Sequence, residues 1–216
     1  MRFASENMEA DEIISLIVSL LYNYKVIIFN MKSANLFSGG NELLDPNKIF
    51  DKLEIKPGSR IADLGCGGSG HFIIPAASLV GSETNVYAVD ILKSVLKNIV
   101  SSARIRGVNN IKPIWSNLEV YGATKIKDNS LDFAFLFNIL FQSKKQKEII
   151  KESLRLLKKG GKLAVIDWKD TNFSFGPPLE IRVKKEIIKK IALGLSLELV
   201  EEFKAGNYHY GLIFKK

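Results

Sequence analysis

At 216 residues, with 46% hydrophobic and 25% charged side chains, the chain has the makeup of one globular domain able to bury a core. Its formal charge of +8 admits an anionic partner, RNA or an acidic membrane surface, beside the simpler reading of a lysine-rich solvated face. The one cysteine, Cys66, excludes an intrachain disulfide and suits a reducing cytosol, so a cytoplasmic location is expected.

Residues 13–31 are largely apolar and approach the length that crosses a bilayer, but Asn23 and Lys25 interrupt them. The acidic start lacks the basic region of a signal peptide. We therefore expect residues 1–32 to be a helical extension, packed on the domain or on a partner. Membrane contact through residues 13–31 stays open, and residues 33–216 form the main domain.

Asp45-Pro46 marks a helix start, with Asp as cap and Pro at the first helical position, and the helix runs to about Leu53. Arg60 to Leu64 reads as a short buried strand. Four glycines follow within DLGCGGSGHF, and then a helix from Phe72 to Val80. Asn85 to Asp90 is a second strand. Leu92 to Arg106 has the apolar spacing of a helix, at Leu92, Val95, Leu96 and Ile99. Ile111 to Trp115 and Leu131 to Leu136 are the third and fourth strands. Lys144 to Lys158 is an amphipathic helix that Gly160-Gly161 is expected to end, and Lys162 to Asp167 is a fifth strand. This alternation predicts an α/β fold, a doubly wound sheet with helices on both faces. Beyond it lie an aromatic, Gly/Pro-rich loop (Thr171 to Leu179), a helix from about Ile181 to Leu193, and two strands, Leu197 to Lys204 and Tyr208 to Lys215. Their short connection makes that last pair antiparallel.

Gly65, Gly67 and Gly70, with Asp90 twenty residues on, satisfy the spacing of a dinucleotide fingerprint. A strand-to-helix turn of this kind favours negative charge. Asp63, two residues before the first glycine, would tend to repel a pyrophosphate. S-adenosylmethionine (SAM) has no phosphate. Its carboxylate suits the loop N–H groups while its ammonium and sulfonium suit Asp63. Asp90 can accept from ribose hydroxyls of either cofactor, so it does not discriminate.

The segments IADLGCGGSG, VYAVDI, LDFAFLFNILFQ and LLKKGGKLAVIDW together resemble the class I SAM-dependent methyltransferases, especially a small-molecule branch similar to the ubiquinone/menaquinone methyltransferases. The resemblance covers about residues 36–216. It implies a Rossmann-like seven-stranded sheet of order 3-2-1-4-5-7-6 with strand 7 antiparallel. It also implies SAM as cofactor, with Asp63, Gly65, Cys66 and Gly67 around the methionine end and Asp90 and Ile91 at the ribose. Asn117 falls where an acid usually takes the adenine amino group, Leu118 packs on the adenine face, and Asn138 faces cofactor and substrate.

The remaining candidates are ambiguous from residues alone. Cys66 has no paired base in sequence, which favours a small residue in a tight turn over a thiol nucleophile. His71 and Asp167 are the only side chains to suggest as a base. Phe173, Phe175 and Pro177 suit a substrate lid. Trp168 is expected at the cleft with Asp167, and His209 and Tyr210 read as ordinary strand residues. The two histidines lie far apart and no metal-ligand spacing occurs, so no metal is expected. The expected function is methyl transfer by in-line displacement to a small, partly apolar acceptor. An RNA methyltransferase, a non-catalytic SAM-binding protein and a nicotinamide dehydrogenase are the alternatives, and oligomeric state is not legible.

Overall fold

A computed structural model describes residues 40–216, so the expected N-terminal extension and its apolar stretch lie outside the described residues. A short 3-10 turn, Asn41–Leu43, precedes α1 (Pro46–Leu53), where the Asp45 carboxylate accepts from Asn47 N–H at 3.0 Å as the cap pattern predicts. The chain continues as β1 (Ile61–Leu64), α2 (Ile73–Val80), β2 (Val86–Asp90), α3 (Lys93–Ile105), β3 (Ile111–Trp115) and β4 (Leu131–Phe137). Then come α4 (Gln146–Leu156), β5 (Leu157–Trp168), α5 (Lys185–Gly194), β6 (Glu198–Ala205) and β7 (His209–Lys215).

The seven strands form one sheet of order β3-β2-β1-β4-β5-β7-β6. All pairings are parallel except those of β7, which runs against both β5 and β6. This is the order and the reversal that the resemblance implied.

Burial follows strand position. All four residues of β1 are buried, as are most of β4, because both have neighbours and helices on every side. At the edges β3 leaves Lys112 and Pro113 exposed, which an edge strand tolerates, and β6 alternates between exposed and half-buried residues. Phe50 of α1 lies 6.0 Å from Phe135 and Phe72 lies 4.6 Å from Phe137, ring centre to ring centre. Side chains of α1 and of the residue before α2 thus meet on the same face of β4. Offset and edge-on aromatic contacts of this kind add about 0.5–1.5 kcal/mol each beyond their burial.

Two local expectations fail. Gly160-Gly161 does not end the helix. α4 stops at Leu156, and both glycines lie inside the long β5 element. Gly160 has φ +77°, and a Cβ on Gly161 would sit 3.0 Å from the Leu131 and Lys158 carbonyl oxygens. The glycines therefore make a bend where β5 shifts register against β4 between Leu131 and Phe133. α5 likewise starts later than expected, at Lys185, after a separate turn at Leu179–Ile181.

The connection after β3 has no regular structure but is firmly held. Glu152 of α4, fully buried, accepts from Gly122 N–H at 2.8 Å and Thr124 N–H at 3.0 Å, and pairs with Arg155 at 2.7 Å. Burial works against its charge, but Arg155 and the two N–H groups outweigh it and hold the carboxyl at about 2. Arg155 also pairs with Asp128 and donates to the Thr124 carbonyl, which closes the loop onto the helix.

Candidate functional site

The C-terminal ends of the parallel strands share one rim, where open α/β sheets bind ligands. Gly65 and Cys66 N–H both donate to the Val89 carbonyl, at 2.8 and 3.0 Å, so the glycine loop folds back onto β2. Gly65 has φ +83°, and a Cβ there would stand 2.7 Å from the Ile139 side chain. Gly67 has φ +61°, and a Cβ there would meet nothing within 4 Å. The first glycine is thus required by packing. The second presents bare backbone to open space, as a loop that a ligand approaches closely should.

Two carboxyl groups converge behind this loop. Asp90, at the tip of β2, accepts from Gly67 N–H at 3.3 Å and from Leu92 N–H at 2.9 Å. Asp63, at the third position of β1, is 3% exposed and has no side-chain hydrogen bond among the described residues. Burial, and then the charge of Asp90, push its carboxyl up to about 7. Burial also raises Asp90, against the opposing pull of its backbone N–H partners. A pair of acids disfavoured in this way is a site that a positive ligand group would relieve. The Cys66 thiol is buried and pushed up, first by burial and then by both acids, which disfavours the thiolate that a nucleophile needs.

Around the acids, Ile91 is half exposed at 55% and lies beside Trp115, whose indole N–H donates to the Ile91 carbonyl at 2.8 Å. The β3 tip is tied to the same place, since Ser116 N–H donates to the Asp90 carbonyl at 3.1 Å. Leu118 is buried there. Asn117 sits at the same tip, where its Oδ1 accepts from Glu119 N–H at 2.9 Å and closes a local turn. Asn138 directly follows β4 with φ +55°, and its Nδ2 donates to Asn41 Oδ1 at 2.8 Å. Its own Oδ1 is buried without a partner. The site residues expected from sequence therefore gather at one rim, and Asn41, which sequence spacing could not place, joins them.

His71 and Asp167, the two side chains suggested as a base, each contact backbone groups. His71 Nε2 lies 2.9 Å from the Leu44 carbonyl. Asp167 is fully buried and accepts from Leu140, Phe141 and Trp168 N–H at 3.1, 3.2 and 2.8 Å. Burial still pushes its carboxyl up to about 7 despite those three donors. A cleft of about 350 Å³ lined by Ser69, His71 and Pro75 opens next to the loop, but neither acid lines it.

Beyond β5 the aromatic loop winds around a residue the sequence did not single out. Arg182 Nε donates to the Pro177 carbonyl at 2.8 Å, Nη1 to Lys169 and Thr171 at 3.2 and 2.5 Å, and Nη2 to Phe175 at 3.2 Å. Inside this loop Trp168 and His209 stand opposite each other across β5 and β7, with ring centres 4.3 Å apart. Both are buried, and Trp168 Nε1 and both His209 ring nitrogens lack a hydrogen-bond partner. A buried polar group left in that condition costs about 1–3 kcal/mol. No cluster of three metal-ligating side chains occurs among the described residues.

A family model described as a methyltransferase domain matches residues 55–205. The chain belongs to that methyltransferase domain family. It is similar to botryococcene C-methyltransferase of Botryococcus braunii, 25% identical over 163 residues, or 74% of this chain and 41% of that one. It is also similar to the ubiquinone/menaquinone biosynthesis C-methyltransferase UbiE of Vibrio cholerae, 28% identical over 169 residues, covering 77% of this chain and 62% of that protein. The chain thus spans about two fifths to three fifths of the length of these relatives. In fold it is similar to a SAM-dependent methyltransferase from Aquifex aeolicus, with a TM-score of 0.75 and 23% identity over 86% of this chain and 96% of that one.

Proposed function

We propose that this methyltransferase-family chain uses SAM to methylate a small, partly apolar acceptor. The acid pair at the glycine loop carries this reading: Asp63 and Asp90 both have raised carboxyls, and Asp90 accepts from the N–H of Gly67, whose backbone faces open space. A pyrophosphate would add negative charge to that pair. The methionine end of SAM would bring an ammonium and a sulfonium, which lower the free energy of the ionised acids.

The residues present fit the cofactor. Asp63 and the unpartnered Asn138 Oδ1 accept from the ammonium, loop N–H groups hold the carboxylate, and Asp90 accepts from the ribose hydroxyls. Ile91 and Leu118 offer apolar surface to the adenine. Bound SAM supplies a methyl group on a good leaving group, so the protein's work is to align acceptor and methyl carbon and to keep water out. Arg182 serves the second task by fixing the aromatic loop through its Pro177, Thr171 and Phe175 carbonyls. The curated relatives act on carbon, as their names state, and the aromatic loop supports an acceptor with apolar character here as well.

Calorimetry with the purified chain tests the cofactor. S-adenosylhomocysteine should bind in the micromolar range, and NAD should not. Binding of NAD with no response to either SAM or S-adenosylhomocysteine would sink the reading. Transfer of tritiated methyl to a cell extract, followed by fractionation, then identifies the acceptor class. Label recovered in RNA would favour the nucleic-acid alternative. We also place the chain in the cytoplasm, on the strength of its lone thiol, with membrane contact through residues 13–31 to be read by fractionation of cells. Among the described residues no helix is long and apolar enough to cross a membrane.

A further inference from the structure

The 3-10 turn Asn41–Leu43 and its flanking residues are tied to the proposed cofactor rim at three places. On one side a Cβ on Gly40 would stand 2.4 Å from the indole of Trp168, the last residue of β5. On the other the Leu44 carbonyl lies 2.9 Å from Nε2 of His71, directly after the glycine loop. Between them Asn41 Oδ1 accepts from Asn138 Nδ2 at 2.8 Å. The turn closes on itself, since Leu43 and Leu44 N–H donate to the Gly40 and Asn41 carbonyls at 3.1 and 3.0 Å.

Asn138 needs an outside partner to set its side chain. Its backbone is fixed: φ is +55°, its N–H donates to the Ile166 carbonyl at 2.8 Å, and its carbonyl accepts from Gln142 Nε2 at 2.9 Å. None of these contacts decides which way the amide faces. A side-chain amide carries an accepting oxygen and a donating nitrogen of nearly the same shape, so either can meet a ligand. With Asn41 Oδ1 as acceptor, Asn138 Nδ2 turns toward the 3-10 turn, and Asn138 Oδ1 is left buried without a partner among the described residues. A buried oxygen in that condition suits a donor, and a cationic donor best. The reverse arrangement would aim N–H groups at an ammonium and repel it.

We propose that Asn41 is a positioning residue for methyl transfer: it holds the Asn138 amide with Oδ1 toward the cofactor ammonium, and so fixes the methionine end of the cofactor. Asn41 acts through Asn138, and no contact with a reacting atom is assigned to it. The proposal rests on the SAM reading of the site and extends that site to a turn outside the glycine loop and the strand tips.

The probes are S-adenosylhomocysteine and its desamino analogue, in which hydrogen replaces the ammonium, each titrated into the full chain by calorimetry. The wild type should bind the desamino analogue about tenfold more weakly, or worse. Asn41→Leu and Asn41→Ala both remove the acceptor, at two sizes. Each should weaken S-adenosylhomocysteine about tenfold and leave the desamino analogue within about twofold, whereas a general loosening of the rim would weaken both ligands alike. Asn41→Asp can only accept, so it keeps the amide orientation and should bind S-adenosylhomocysteine within about threefold of wild type or tighter. Asn138→Gly keeps the positive φ and deletes the amide, and in that background Asn41→Leu should have no further effect. If the wild type binds neither ligand, the cofactor reading fails. If it binds S-adenosylhomocysteine, but the Asn41 variants weaken both ligands equally or neither, or still act in the Asn138→Gly background, the cofactor reading stands and the role of Asn41 is overturned.

Discussion

Asp63→Asn separates what the carboxyl does for the fold from what it does for a ligand. The side chain is buried beside Asp90 and pushed from an ordinary 3.8 up to about 7. An acid whose value is raised on folding destabilises the native state as it ionises. The effect is absent below the unfolded value, grows between about pH 4 and 7, and is complete above. The gap sets a ceiling of about 4 kcal/mol, and relaxation of the site will hold the real figure below it. The amide removes this burden, so in scanning calorimetry without ligand the variant should melt about 3–10 °C higher than wild type at about pH 8, and equally at about pH 4. Binding moves the opposite way. Loss of a charge-assisted hydrogen bond should weaken S-adenosylhomocysteine by about 30-fold or more. In the wild type a ligand that selects the ionised form loses affinity as that form empties. Its fraction falls from about one half at pH 7 to about 3% at pH 5.5, a loss of about fifteenfold. An Asn variant that melts no higher and binds undiminished, with wild-type affinity flat across that pH window, would refute the reasoning.

Gly65→Ala must place a Cβ 2.7 Å from Ile139 at φ +83°, and should lose about 1–3 kcal/mol in urea unfolding together with cofactor binding. Gly67→Ala meets no protein atom within 4 Å, so it should stay within about 1 kcal/mol of wild type yet still lose affinity for S-adenosylhomocysteine. Arg155→Met leaves the buried Glu152 carboxylate without its cation and should cost about 3–5 kcal/mol by the same assay. The wild-type contribution of Glu152, held at about 2, is present above its ordinary value and should fade only as pH falls toward about 2. Cys66 should resist iodoacetamide in the native protein and react on unfolding in urea, read by mass spectrometry.

The sheet was legible because its strands are short, apolar and bounded by turn residues. Ile111 to Trp115 is found at the expected ends, and β4 differs by one residue. The glycine loop and its two acids were legible for a related reason. Their chemistry is local, and three successive segments of chain suffice to assemble it. Gly160-Gly161 was misread because a glycine pair after a helical pattern signals a cap, whereas here it serves a bend set by the neighbouring strand. Asn117 shows what reading by position leaves out. It stands where an acceptor is wanted, and its oxygen also accepts from Glu119 N–H two residues on, a local turn that position alone does not announce. His209, Arg182 and Asn41 carried no signal at all. Each matters through partners on another element or in an irregular loop, as with Asn41 on Asn138 and Arg182 on the Thr171 carbonyl.

The indole of Trp168 fits between two glycines. A Cβ on Gly40 would stand 2.4 Å from it and one on Gly176 2.7 Å, so segments from opposite ends of the domain sequence rest on one ring. The chain has two tryptophans, and the other, Trp115, is 58% exposed. Nature has thus left a dry fluorophore under both covers and a wet one outside them. With Trp115 replaced by Phe, emission from Trp168 becomes a gauge of cover opening: blue while both glycine segments are seated, red once either lifts and admits water. Stopped flow with the cofactor then reads, without any added label, whether either segment lifts at all.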